Sequence, residues 1–307
     1  MVYLKYFASV FIWQFLNPFG IWQSILQNGG QVIAILRSRV SRTVTGLMPM
    51  SLPFDGYWDV VSGGIDKSSS HSWNNVTQRY AYDFVFSGED KKKYEAEGRK
   101  ASSYYAFGQD VLAPADGMII KVQNNVRDYA YAGTGTINLR TRDMRGNYLI
   151  IRHADHVYSF IAHLKRYSCK VKPGDFVKRG QVIGKCGNSG HSTEPHIHFH
   201  VQDYPNFYLA VGLPILFRNI EIEYNGPQAS KKVESGYISK NCKVRNSTND
   251  EELPDKSLNE IPPVRGQLLS LFTSALNVLG LTVWLLLVYI WLIRPLLRVG
   301  KSVFGGG

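Results

Sequence analysis

Gly187-Asn-Ser-Gly-His-Ser-Thr-Glu-Pro-His-Ile-His-Phe-His-Val-Gln-Asp203 sets three histidines, His196, His198 and His200, at every second position, with Ile197, Phe199 and Val201 between them. Successive side chains of a strand point to opposite faces, so this spacing predicts a strand with an apolar face and an imidazole face. Imidazoles kept from water need partners, and neutral imidazole is both a common metal ligand and a general base. The stretch therefore points to a metal or catalytic site on a sheet. All eight histidines lie between His71 and His200, which concentrates the chemistry in the middle of the 307-residue chain.

Around this strand the sequence reads as all-β. Gly117–Val122, Tyr148–Arg152 and Val157–Ala162 are short apolar runs separated by Gly, Pro, Asn and Asp. Residues 46–225 are expected to form one β domain, with a polar insertion at 86–110. Residues 226–265, rich in Lys, Ser, Asn and Glu, read as a polar linker. The 28 residues from Gly266 to Ile293 carry no charge and predict a transmembrane helix, followed by a basic tail at 294–307. The charge bias across that helix puts the tail in the cytoplasm and the β domain outside the cell membrane. Residues 1–45 form an N-terminal membrane-associated segment. Tyr6 to Leu36 is uncharged but is interrupted by Asn, Gln, Gly and Pro18. It reads either as a second span or as a helix pair broken near Asn17-Pro18 that lies in the lipid interface.

The net charge of +11 comes without the aromatic interleaving of a nucleic-acid groove, so no nucleic-acid partner is expected. Wall polymers and the lipid bilayer are the anionic partners of an external basic domain. Cys169, Cys186 and Cys242 lack zinc-finger spacing; Cys169 and Cys186 either pair or remain thiols.

Outside the triple-His strand, the candidate site residues are His163 at a strand end, His153 and His156 in the preceding turn, Asp83 after Gln78–Tyr82, and His71 in a Ser/Asn-rich loop. His191, in the Gly/Ser turn, reads as a solvated loop residue.

Ala113-Pro-Ala-Asp-Gly117, Ile161-Ala-His-Leu164, Val171 to Gly184 and Gly187 to Phe199 occur in that order. In this the chain resembles the lysostaphin-type (LytM-like) zinc endopeptidases, over about residues 80–203. The resemblance implies an antiparallel sheet forming an open groove (duplicated-hybrid-motif-like), here flanked by membrane-associated helices. It implies Zn2+ as cofactor, His198 and Asp83 as ligands, and His163 and His196 as the pair that handles water and the oxyanion. The reaction it implies is hydrolysis of peptidoglycan cross-link or stem peptides by water activated on zinc, or processing of an exported peptide. His153 is structural on this reading, and Ser192, Thr193 and Pro195 set the turn that presents the strand. His200 is expected either to bind substrate or to face solvent.

Two departures stand out. The family's first ligand histidine lies four residues before Asp83, where this chain has Arg79, which offers only donors and stays charged. Either His71 swings in as the replacement ligand and Arg79 turns to substrate, or the domain is a catalytically impaired scaffold that binds wall peptides. Ile161 also replaces a family tyrosine, which removes one hydroxyl donor.

Overall fold

The apolar runs at 117–122, 148–152 and 157–162 form three adjacent strands in one half of a large antiparallel sheet. The computed structural model describes residues 2–40, 48–88, 92–224 and 230–247. The helix expected over 266–293 and the tail at 294–307 lie outside the described residues.

Two helices come first, α1 (Val2–Leu16) and α2 (Pro18–Val40). The first strands are β1 (Trp58–Ser62), β2 (Tyr82–Val85), β3 (Asp110–Leu112) and β4 (Gly117–Gln123). Next come β5 (Asn147–Ala154), β6 (Val157–Leu164), β7 (Phe176–Val177), β8 (Val182–Lys185) and β9 (Ile197–Gln202). The series ends with β10 (Gly212–Leu213), β11 (Phe217–Glu223), β12 (Ser230–Gly236) and β13 (Lys243–Asn246). The large sheet runs β12-β11-β13-β1-β2-β9-β6-β5-β4-β7, with β10 paired to β9, while β3 and β8 form a separate ribbon. Neighbouring strands of the large sheet pair antiparallel, as the all-β reading requires.

The sheet is covered on both faces. Leu149, Ile151, Ile161, Ile197 and Phe199 point into the larger core, which also takes in Val111, Ile183 and Phe217. Burying each such side chain contributes about 1.5–3 kcal/mol. Tyr148, Ile150, Phe160 and Ala162 point to the other face, where Phe207, Tyr208 and Leu26 of α2 meet them. The same alternation carries the histidines of β9 onto this second face.

The linker expected from residue 226 is corrected. Residues 230–247 include β12 and β13, and β13 lies inside the sheet between β11 and β1 with Val244 fully buried. The misleading signal is β12, Ser230-Lys-Lys-Val-Glu-Ser-Gly236, whose polar composition belongs to an edge strand.

The break expected near Asn17-Pro18 is present. Asn17 Oδ1 accepts from the backbone N–H of Phe19 (2.9 Å) and Gly20 (3.3 Å), an N-cap, and Pro18 opens α2, where its missing N–H costs nothing. A Cβ on Gly30 would sit 2.1 Å from the Tyr208 carbonyl oxygen, so α2 approaches the domain more closely than any side chain there permits. Among the described residues, no helix is long and apolar enough to cross a membrane. All three cysteines are free thiols, so the Cys169–Cys186 pairing is not formed.

Candidate active site

The site is built on three adjacent strands, β2, β9 and β6. Asp83 of β2 pairs directly with His198 of β9, which pairs in turn with Ala162 of β6. That register places a carboxylate beside an imidazole on one face. Asp83 is the hub. Its Oδ1 lies 2.8 Å from His198 Nδ1 and 3.7 Å from His196 Nε2, and its Oδ2 lies 3.3 Å from His71 Nδ1. Burial alone would raise the Asp83 carboxyl, but His71, His198 and His196 outweigh it and hold it well below the ordinary carboxylate range.

His163 reaches this face through a local irregularity. By strict alternation it would follow Ile161 into the larger core. Instead, the pairing of β5 with β6 slips between Leu149↔Ile161 and Asn147↔Leu164, so one extra residue stands on β6. His163 takes up that slack with φ +61°, a left-handed conformation uncommon for a non-glycine residue. Its ring thereby comes to 4.7 Å from that of His196 and 5.8 Å from that of His198, centre to centre.

A buried polar network holds the bulge. The Asn147 amide donates to the Val126 and Leu164 carbonyls (2.8 and 2.9 Å) and accepts from Val126 N–H (2.7 Å). Ser189 Oγ donates to the same Leu164 carbonyl (2.7 Å), and the Ser189 carbonyl accepts from His163 Nδ1 (2.8 Å). The sequence alone does not mark Asn147 and Ser189, because an Asn at a strand start and a Ser in a turn read equally well as surface residues. Asn147→Ala leaves several buried groups unpaired and is expected to cost about 2–4 kcal/mol, read as a lowered denaturant midpoint. It should also lower turnover by freeing His163.

Hydrogen-bond partners fix the tautomers of the imidazoles. A carbonyl only accepts, so His163 carries its hydrogen on Nδ1 and presents the Nε2 lone pair. Burial, then the neighbouring His196 and His198, lower the His163 pKa well below the ordinary imidazole value, so the ring is neutral. His196 Nδ1 likewise faces the Glu194 carbonyl (2.8 Å), leaving its Nε2 toward Asp83. Ser192 Oγ also donates to that carbonyl (2.8 Å), which sets the turn leading into β9.

A relay along β9 fixes His198. Gln202 Nε2 donates to the Tyr204 carbonyl (2.7 Å), which turns Oε1 toward His200 Nε2 (2.9 Å). Burial, then His198, bring the His200 pKa down to about 3, so His200 is neutral, with its hydrogen on Nε2 and its lone pair on Nδ1. His198 Nε2 must then donate to His200 Nδ1 (3.1 Å). With Nε2 committed as a donor, His198 Nδ1 meets a carboxylate oxygen 2.8 Å away. Two acceptors at that distance require a cation between them, either a proton or a metal ion.

The donor set, two imidazole nitrogens and a carboxylate, is the kind zinc takes. A tetrahedron with bonds of about 2.1 Å has edges of roughly 3.4 Å, and the 2.8 and 3.3 Å separations around Asp83 are near that scale. The groups nevertheless stand in hydrogen-bonding contact, and among the described residues no group of three or more His, Cys, Asp or Glu is already arranged to hold an ion. His71 is the most exposed member: its side chain is 53% exposed, and its Nδ1 also lies 2.6 Å from Ser62 Oγ.

Several expectations are corrected here. His200 is fully buried against Phe160 and serves the relay rather than touching substrate or solvent. Arg79 is 1% exposed; its Nε donates to the Trp73 carbonyl (3.0 Å) and its guanidinium lies 5.3 Å from the Trp73 ring, so it is not placed on substrate. Ile161 faces the larger core, so its replacement of tyrosine does not remove a hydroxyl from the site face. His191 is no solvated loop residue; its ring lies 4.1 Å from that of Trp13 in α1. The same helix brings up Tyr6, whose phenol pKa is raised by burial and then by the Asp83 charge. Nothing in the N-terminal sequence signalled that proximity. His153 is structural, as expected: Nδ1 meets the Asp116 carbonyl (2.7 Å) and Nε2 meets Ser159 Oγ (2.8 Å).

Residues 101–207 match the profile of Peptidase family M23. The chain is 31% identical over 156 residues to the peptidoglycan DD-endopeptidase ShyB of Vibrio cholerae, covering 48% of this chain and 32% of that protein. It is 46% identical over 55 residues to lysostaphin of Staphylococcus staphylolyticus, covering 18% of this chain and 11% of lysostaphin. A zinc-containing peptidase from Vibrio cholerae of solved structure matches 54% of this chain and 39% of its own, at 24% identity and a TM-score of 0.33. The chain thus spans at most about a third of the length of these curated relatives. The matched segment holds His163, His196 and His198 but begins after Asp83 and His71. The centre of this chain is a peptidase M23 domain of the LytM/lysostaphin family.

Proposed function

We propose that the chain is a zinc-dependent endopeptidase acting on peptidoglycan peptides from the outer side of the cell membrane. The observation that carries this is the convergence of His71, Asp83 and His198, with His163 and His196 beside them, on one face of β2, β9 and β6. His71, Asp83 and His198 would hold the ion. When bound, zinc polarises a carbonyl and makes water a competent nucleophile at neutral pH.

The remaining chemistry belongs to the two free imidazoles. His163, neutral and anchored through Nδ1, accepts a hydrogen bond from the attacking water at Nε2 and so orients it. His196 takes the water's proton at Nε2, where Asp83 Oδ1 at 3.7 Å supports the resulting positive charge. The proton is then delivered from the same atom to the departing amine. The substrate class follows from the family and from relatives that act on peptidoglycan; processing of an exported peptide would use the same atoms. The external location rests on the charge bias around residues 266–293.

A non-catalytic wall-binding domain is the second reading, favoured by Arg79 at the family's first-ligand position. Metal removal separates the two. Dialysis against a chelator should stop release of soluble fragments from purified peptidoglycan, and added zinc should restore it. His196→Ala should keep its zinc yet lose roughly 10²–10⁴-fold in rate. A chain that binds peptidoglycan but never cleaves it, with or without zinc, would support the scaffold.

A further inference from the structure

The helices α1 and α2 are built inside out. A helix on a water-facing surface turns its apolar stripe inward and its polar residues outward. Here Ser9, Gln23, Asn28 and Gln31 are buried. Gln23 donates to the Arg142 carbonyl (2.6 Å) and accepts from Met144 N–H (2.9 Å), and Gln31 accepts from Val76 N–H (3.0 Å). The outward face carries Leu4, Phe7, Phe11, Leu16, Trp22 and Ile33, with Leu4 at 73% and Leu16 at 70% exposed. Of the nineteen large apolar side chains exposed among the described residues, eleven are on these two helices.

The geometry points to a lipid bilayer as the occupant of this face, with α1 and α2 lying in its interface and the domain held above by their buried amides. The chemistry of the face supports lipid over a protein partner. From Tyr6 to Leu36 no residue is charged, so the face offers none of the charged groups found at the rim of a protein interface. Phe7, Phe11, Phe19 and Trp22 are the residue types that settle at the headgroup level. Cations flank the run in sequence: Lys5 before it, Arg39 and Arg42 after it, while Arg37 is taken by Asp203 at 2.7 Å. Neither helix is long and apolar enough to cross a membrane. The chain also carries a second uncharged run of bilayer length at 266–293, the sequence signal behind the membrane location proposed above.

This inference deepens the membrane location proposed above but does not rest on hydrolysis. It has one structural consequence: α1 also carries Trp13, which meets His191, and Tyr6, which lies within the field of Asp83, so docking holds the candidate site close to the lipid surface.

The test uses the full chain reconstituted into phosphatidylcholine–phosphatidylglycerol vesicles. An environment-sensitive fluorophore is attached in turn at Phe11→Cys, Trp22→Cys, Ile33→Cys and, on the domain, Tyr167→Cys; all four positions are exposed, so the fold should be undisturbed. Background labelling is taken from the unsubstituted chain. The expected result is that a quencher carried on the lipid tails darkens the three helix positions and not position 167, while aqueous iodide does the reverse. Iodide reaching all four positions equally would overturn the inference. Helix positions shielded from both quenchers would overturn it too, because a second copy or the chain's own 266–293 run would then cover the face. Loss of peptidase activity with the quenching pattern intact would leave this inference standing and remove only the hydrolytic reading.

Discussion

Asp83→Asn is expected to abolish hydrolysis and to lower the stability of the metal-free domain at neutral pH, because the imidazoles around Asp83 favour its ionised form in the fold. The carboxylate is the only negative charge among the groups assigned to the ion, and the amide that replaces it keeps the shape but neither the charge nor the affinity for a hard cation. The relay along β9 sets the contact that is lost. Gln202, His200 and His198 fix the His198 hydrogen on Nε2, so its Nδ1 faces Asp83 Oδ1 at 2.8 Å and needs a proton between them. An asparagine amide N–H would donate to that nitrogen, but the charge interaction of the carboxylate with His71, His198 and His196 would be lost. Removing one partner of a buried ion pair ordinarily costs about 3–5 kcal/mol because a charge is left alone, but here the groups left are imidazoles that can be neutral. Circular dichroism and a denaturant midpoint on the variant check the fold, and fragment release from peptidoglycan checks the activity. An Asp83→Asn chain as stable as the parent at neutral pH would contradict the charge coupling assigned to Asp83.

His71→Ala is expected to lower zinc affinity by more than the roughly 10–100-fold typical of losing a supporting partner, because it removes a ligand itself. His71 reaches Asp83 from a loop, with its Nδ1 3.3 Å from Oδ2 and Ser62 Oγ at 2.6 Å as an alternative partner. Binding of an ion would exchange that hydroxyl for the metal. Adding Arg79→His to His71→Ala should not restore affinity. The residue at 79 is buried against Trp73, and its side chain is committed to the Trp73 carbonyl and ring. Competition against a chromophoric chelator gives the three affinities. Full recovery in the double variant would mean that the family's usual position still faces the ion.

The sequence makes the row of histidines legible because strand alternation is strict within β9, and it makes the candidate ligands legible because His71 is the only histidine before Asp83. The resemblance supplied the roles of His163 and His196, but not how His163 reaches the site. That depends on a bulge and a left-handed φ, which are set by the pairing of β5 with β6 and by Asn147 and Ser189 at long sequence distance. The buried role of His200 is not legible, because its partner Gln202 lies on the same strand face, where a polar residue reads equally well as solvated. The burial of Arg79 is not legible either, because a guanidinium is rarely buried and only the fold brings the Trp73 carbonyl and ring to it. Residues 230–247 read as linker because an edge strand is made polar for the same reason a linker is. The N-terminal pair was legible as a broken, uncharged helix, but the contacts of Trp13 and Tyr6 near the site come from tertiary packing alone.

The central claim is that His71, Asp83 and His198 together hold one zinc ion. Zinc K-edge X-ray absorption on the zinc-loaded full chain and on its His71→Ala variant tests it most directly. The account predicts one zinc per chain with two imidazoles and oxygen donors in the parent, and one imidazole in the variant. A two-imidazole shell that survives His71→Ala, or a folded parent that takes up no zinc, would contradict it.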